Sequence, residues 1–195
     1  METIILASGS RQRQEYFRLM GLPFESLPSH REEKLNLLLE PRAAVEELAI
    51  EKVKSVRELY ADREMPWIAG ADTIILLDGK IYGKSESRQS ARQMLSCFQG
   101  RTHEVITAAA LFNGRKNTVD CRSHVSAVSF AKMEEEEIEW YLDSGEWEGA
   151  AGAYRIQGLA SCFIRDIQGS FSSIAGLPLH EFYAMLRSNG YPYGG

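Results

Sequence analysis

Four clusters of residues in this 195-residue chain have the types and spacing to do chemistry. The first is Ser8-Gly9-Ser10, between a short β-branched run and a helical stretch. A helix N-terminus offers unpaired N–H groups and a positive dipole, and glycine lets the backbone come close to an anion. Arg11 and Arg13 follow at once. Cations in a first helical turn oppose the dipole, so two of them there suggest a bound anion that compensates. The same residues also fit a solvated surface with Ser10 as a plain N-cap.

The second cluster is Asp72, inside the apolar run Trp67 to Leu77. A carboxylate in such a strand is costly unless it is paired or metal-bound. Asp72 is therefore a candidate metal ligand, general base or both, with a structural hydrogen-bonded Asp as the alternative. Glu32-Glu33 lies in a loop between two helical stretches. Such a pair is a solvated surface feature unless the fold brings it to Asp72, where carboxylates would share a hard cation. Lys84 follows a turn and has the reach for a phosphate oxygen; its other reading is an ordinary surface lysine. Gln157, in Gly152-Ala-Tyr-Arg-Ile-Gln-Gly158, carries both a donor and an acceptor, which suits reading a base edge. A structural role at a strand end is the alternative.

The elements that must position these groups follow from patterning. Thr3–Ala7 predicts a buried strand, Arg11–Met20 a helix closed by Gly21, and 24–40 an irregular stretch. Pro41 predicts the first turn of a second helix, with Val45, Leu48, Ala49, Val53, Val56 and Leu59 on its core face. Trp67–Leu77 reads as a strand, and Asp78-Gly79 as a hairpin turn into Lys80–Gly83. A helix carrying Ala91, Met94, Leu95 and Phe98 stops at Gly100. Two strands follow at 103–112 and 118–131, then a helix over 133–142 whose acidic start suits the dipole. Strands are expected near 153–157 and 162–167, and Pro178 opens a last helix ending near Ser188. Helices and hairpins interleave, which predicts a mixed α/β sheet in one domain spanning 1–195.

Composition sets limits. With 44% hydrophobic residues and no low-complexity linker, the chain suits one core. A net charge of −5 argues against a broad nucleic-acid surface. No secretory signal or membrane-length apolar run is evident, so a soluble, cytoplasmic protein is expected. Cys97, Cys121 and Cys162 match neither a disulfide framework nor zinc-ligand spacing and read as buried thiols. The four histidines are dispersed.

Taken together and in order, Leu6-Ala-Ser-Gly-Ser10 with Arg13, Gly70-Ala-Asp-Thr73, Gly83-Lys84, Leu95 to Gly100 with His103, Gly145-Glu146, Ala151 to Gly158, Gly169-Ser170 and Gly176-Leu-Pro-Leu179 resemble the Maf family. The match covers nearly the whole chain. The resemblance implies an elongated twisted sheet with flanking helices, two lobes around a cleft, akin to the inosine triphosphate pyrophosphatases. It implies hydrolysis of a nucleoside triphosphate to the monophosphate and pyrophosphate, assisted by Mg²⁺ or Mn²⁺, in a protein of a family where dimers are common. By carry-over, Asp72 is the proton acceptor and a metal ligand with Glu33, while Ser8, Ser10, Arg13 and Lys84 hold phosphates. Thr73 and Gln157 fall at positions that select the base.

Ile156-Gln157-Gly158 is similar to the branch acting on dTTP and UTP. The alternatives are a pyrophosphatase for 7-methyl-GTP or another modified nucleotide, and a non-catalytic regulator of septum formation. The chain departs from the family at Gln12, where arginine is usual at a position linked to specificity, and at Ser85, Ala150 and Arg155.

Overall fold

The computed structural model describes residues 1–29, 34–60 and 67–193. In chain order the elements are β1 (Ile4–Leu6), α1 (Arg11–Leu19), β2 (Phe24–Ser26), α2 (Pro41–Leu59), β3 (Trp67–Leu77) and β4 (Lys80–Tyr82). They continue with α3 (Arg88–Phe98), β5 (Thr102–Asn113), β6 (Thr118–Phe130), α4 (Glu135–Asp143), a 3₁₀ turn at Leu159–Phe163, β7 (Ile164–Gln168), α5 (Phe171–Ile174) and α6 (Leu179–Asn189). The expected mixed α/β architecture is present: a seven-stranded sheet in the order β2-β1-β3-β5-β6-β7, with β4 paired to β3. β1 runs parallel to both β2 and β3, whereas β3–β4 and β6–β7 are antiparallel. No helix among the described residues is long and apolar enough to cross a membrane.

The chain forms two compact units, the first from Met1–Asp72, Thr107–His124 and Gly176–Gly195, the second from Thr73–Ile106 and Val125–Ala175. In the first, β1 is wholly buried because the parallel neighbours cover both its edges and its side chains are all apolar. Phe17 of α1 meets Phe24 and Phe182 at ring distances of 5.4 and 5.3 Å. The expected core face of α2 is observed at Val45, Leu48, Ala49, Val53 and Val56. Leu59 is the exception, exposed at the last residue of the helix.

One contact in this unit fixes the site geometry. A Cβ on Gly70 would lie 2.9 Å from the Ala49 carbonyl oxygen and 3.0 Å from Val53 Cγ2. The missing side chain lets the backbone of α2 settle directly on β3, at a separation no other residue permits.

The second unit is centred on Phe98 of α3. Its ring packs edge-on to Tyr82 at 5.0 Å and lies 4.6 Å from His103, inside a buried cluster that includes Leu95, Phe130 and Tyr154. The Asp78-Gly79 turn has both residues at positive φ, 51° and 74°, as a two-residue hairpin between twisted strands requires.

Three expectations are corrected. Phe24–Ser26 is a strand rather than irregular chain; three residues with a polar centre are too few to show an alternation. The stretch 153–157 is not a strand, because Gly152 and Ala153 both adopt left-handed φ, 65° and 61°, which turns the chain out of extended geometry. Cys162 is exposed on the 3₁₀ turn rather than buried.

Candidate functional site

β1 and β3 lie side by side in parallel, with Leu6 opposite Ala69. Ser8 stands two residues beyond Leu6 and Asp72 three beyond Ala69, so both lie just past the C-terminal end of β1, Asp72 at the middle of the longer β3. Ala7 N–H donates to the Ala69 carbonyl at 2.7 Å and extends that pairing to the edge of the loop. Open α/β sheets bind ligands at this end, where loops and helix N-termini converge.

The Ser8-Gly9-Ser10 loop is locked from several sides. Ser26 Oγ donates to the Ser8 carbonyl at 2.8 Å, and Ser10 N–H donates to Ser8 Oγ at 3.3 Å. Ser10 is the N-cap of α1, its hydroxyl accepting from Arg13 N–H at 3.5 Å. Arg13 is buried: its Nη1 donates to Ser8 Oγ at 3.1 Å and its Nε to the Gly176 carbonyl at 2.8 Å. The guanidinium therefore bridges the loop to the chain just before α6 and places a fixed positive charge behind the helix N-terminus. Cation, dipole and backbone amides are together the features that favour an anion at such a loop. Gln12 is half-buried, and its amide faces the hydroxyl of Tyr16 one turn on without full hydrogen-bond geometry. Burial, foremost, pushes the Tyr16 phenol pKa up, and the Gln12 contact opposes it.

Asp72 is buried and paired. Lys52 Nζ of α2 donates to Asp72 Oδ1 at 2.7 Å and to the Ala71 carbonyl at 3.3 Å. Pattern reading of the sequence passes over Lys52, yet a signal exists: the lysine sits among Leu48, Ala49, Val53 and Val56, on the face of α2 that should be entirely apolar. A cation there requires a buried partner, and Gly70 is what brings β3 near enough to supply it.

The remaining site candidates belong to the second unit. Thr73 is half-buried on β3, while Lys84 and Gln157 are exposed. Lys84 is bridged in antiparallel fashion to Ala151, and Gly152 N–H donates to the Gly83 carbonyl at 2.8 Å, so the lysine is fastened to the segment that leads to Gln157. Glu33 lies outside the described residues. Among the described residues, no three of His, Cys, Asp and Glu are grouped to hold a metal ion. Asp72 nevertheless suits Mg²⁺, which is commonly held by one or two carboxylates together with substrate phosphates.

Two further titratable groups are shifted by burial. His103 is buried against Phe98 and Phe130, with Nε2 2.8 Å from Tyr154 Oη and Nδ1 without a hydrogen-bond partner. Burial pushes its pKa down to about 4. Burial foremost, with Glu46 and Asp120 adding to it, pushes the Cys121 thiol up to about 12, so it stays protonated and unreactive.

The chain belongs to the Maf-like protein family, whose pattern it matches over residues 3–189. It is 39% identical over 192 residues to a dTTP/UTP pyrophosphatase of Symbiobacterium thermophilum, covering 98% of this chain and 96% of that one. It is 40% identical over 186 residues to a dTTP/UTP pyrophosphatase of Escherichia coli O157:H7, covering 95% and 92%. A solved dITP/XTP pyrophosphatase from Mycobacterium abscessus aligns over 97% of this chain and 96% of its own at 13% identity. Its TM-score is 0.45.

Proposed function

We propose that this protein hydrolyses dTTP and UTP to the nucleoside monophosphate and pyrophosphate. The observation that carries the reading is the juxtaposition, just past the end of β1, of an arginine-backed loop and a buried carboxylate on β3 paired with a lysine. Near-full-length relatives at about 40% identity bear the dTTP/UTP name and favour it over 7-methyl-GTP hydrolysis or binding without turnover.

The chemistry follows from these groups. Ser8, Ser10, the N-terminal amides of α1 and Arg13 neutralise phosphate oxygens, and Lys84 adds a cation. Fixed donors of this kind stabilise the charge that develops in the transition state without reorganising. A water attacks the α-phosphorus in line with the bridging oxygen, whose bond breaks to release pyrophosphate. Asp72 accepts the water's proton, and Lys52 holds its Oδ1. Lys52 thereby fixes the rotamer of the base as well as compensating its charge. Asp72 and Glu33 would hold a divalent ion, Mg²⁺ or Mn²⁺, which supplies charge neutralisation at the phosphates. Thr73 and Gln157 are assigned to the base.

The test is a panel of nucleoside triphosphates with Mg²⁺, read as released pyrophosphate. Turnover of dTTP and UTP, reduced by about 100-fold or more in Asp72→Asn, is expected. Undiminished turnover in that variant overturns the assigned base, and preference for a purine triphosphate overturns the substrate.

A further inference from the structure

Gln157 is exposed, so nothing in its own side-chain packing fixes the direction of its amide. The residues on either side of it are fixed instead. Arg155 Nε donates to the Glu146 carbonyl at 2.9 Å, and its Nη2 to the Glu148 carbonyl at 2.6 Å. Two residues past Gln157, Leu159 N–H donates to Glu146 Oε2 at 2.8 Å. Between them Gly158 N–H donates to the Arg155 carbonyl at 3.1 Å. Glu146 thus takes part on both sides of Gln157, through its carbonyl before it and its carboxylate after it.

The approach is close. A Cβ on Gly158 would lie 2.7 Å from Glu146 Cδ and 2.9 Å from Oε1, and closer still to Oε2. Only glycine leaves room for the carboxylate to lie against the backbone. Glu146 is itself anchored: its N–H donates to Ser144 Oγ at 3.2 Å, and Ser144 Oγ donates to the Tyr141 carbonyl at 2.6 Å in the last turns of α4. Trp147 Nε1 adds a bond to the Leu142 carbonyl at 3.0 Å. The loop also holds Ala153 at φ 61°, a conformation that costs an alanine of the order of 1 kcal/mol and persists only when its surroundings impose it.

We infer that Glu146 is a positioning residue for base selection: its carboxylate and the Arg155 side chain together hold 155–159 in the conformation that presents the Gln157 amide to the nucleobase. This rests on the reading of Gln157 as the base reader. Arg155 is one of this chain's departures, and its two bonds to carbonyl oxygens give that departure a use.

The experiment compares wild type with Glu146→Ala, Glu146→Gln, Arg155→Ala, Gly158→Ala and the Glu146→Ala/Gly158→Ala double variant. For dTTP, UTP, dATP and dGTP it measures kcat and KM by pyrophosphate release, Kd for non-hydrolysable analogues, and Tm. The expected result is a fall of about ten-fold or more in pyrimidine-over-purine discrimination in Glu146→Ala, carried by KM and Kd rather than kcat. Glu146→Gln, which keeps an acceptor for Leu159 N–H, restores most of it. Gly158→Ala reproduces the loss by displacing the carboxylate and adds nothing in the Glu146→Ala background.

Unchanged discrimination in Glu146→Ala overturns the inference, as does an equal loss for every base. If Glu146→Ala does not fold, Arg155→Ala decides in the same way. A wild type that binds pyrimidine analogues selectively yet releases no pyrophosphate overturns the hydrolytic reading and leaves the Kd ratios to decide this one. A wild type without base preference in binding overturns it.

Discussion

Lys52 Nζ lies 2.7 Å from Asp72 Oδ1, each side chain almost wholly removed from solvent. Taking two charges out of water is costly, and their attraction roughly offsets it, so such a pair is weak evidence of selection for stability. Its use is geometric: it fixes the direction of the Asp72 carboxylate. Removing one partner leaves an uncompensated buried charge. Lys52→Met is therefore expected to destabilise the fold by about 3 kcal/mol or more in urea unfolding. It should also lose most pyrophosphate release. A variant as stable and active as wild type would show that the pair is incidental.

Gly70→Ala tests how that pair is brought together. The added methyl meets the Ala49 carbonyl oxygen, a backbone atom that cannot swing aside. Overpacking of this kind costs about 1–3 kcal/mol. Because the strain is relieved by moving α2 away from β3, activity is expected to fall by more than the loss of folded protein explains. Activity per folded molecule, with stability from the same preparation, checks this.

Much of this unit was legible in the sequence. The helix-spaced stripe of α2, the Pro41 start and the apolar run of β3 all carry local signals that tertiary contacts reinforce. The pairing of Lys52 with Asp72 was not, because it joins residues 20 apart and depends on a glycine whose importance lies in what is absent. The 153–157 segment misled for a related reason. Its composition favours a strand, and the contacts that override it come from Glu146 and Arg155, which no periodicity reveals. The turn before α1, with Ser10 as its N-cap, was legible, whereas the Gly176 carbonyl that anchors Arg13 is 163 residues away.

That anchor makes the next prediction. Arg13 uses separate guanidinium nitrogens for Gly176 and Ser8, at 2.8 and 3.1 Å. A lysine keeps the charge but cannot span both acceptors from fixed positions. Arg13→Lys is expected to raise KM for triphosphate by about ten-fold, with a smaller change in stability than Arg13→Ala. Steady-state kinetics beside thermal unfolding separate the two; an unchanged KM would remove Arg13 from phosphate binding.

The last prediction concerns pH and the buried His103. Its Nδ1 is buried with no hydrogen-bond partner, so protonation inside the fold would bury an unpaired N–H and a charge. Its folded pKa of about 4 lies below the ordinary 6.5. Well above pH 6.5 both folded and unfolded chains hold the ring neutral, and its contribution to stability is complete. As pH falls below that value the unfolded chain takes up the proton first, and stability is lost until the folded pKa is passed. Between pH 7.5 and 5 the loss from this one group is about 2 kcal/mol. Urea unfolding at the two pH values measures it. Other groups also titrate across this range, so the decisive comparison is His103→Phe. That variant is expected to be less stable at neutral pH, because Tyr154 Oη loses its partner at 2.8 Å. Its stability should fall by about 2 kcal/mol less than wild type on acidification. An equal fall in both proteins would place the acid sensitivity elsewhere.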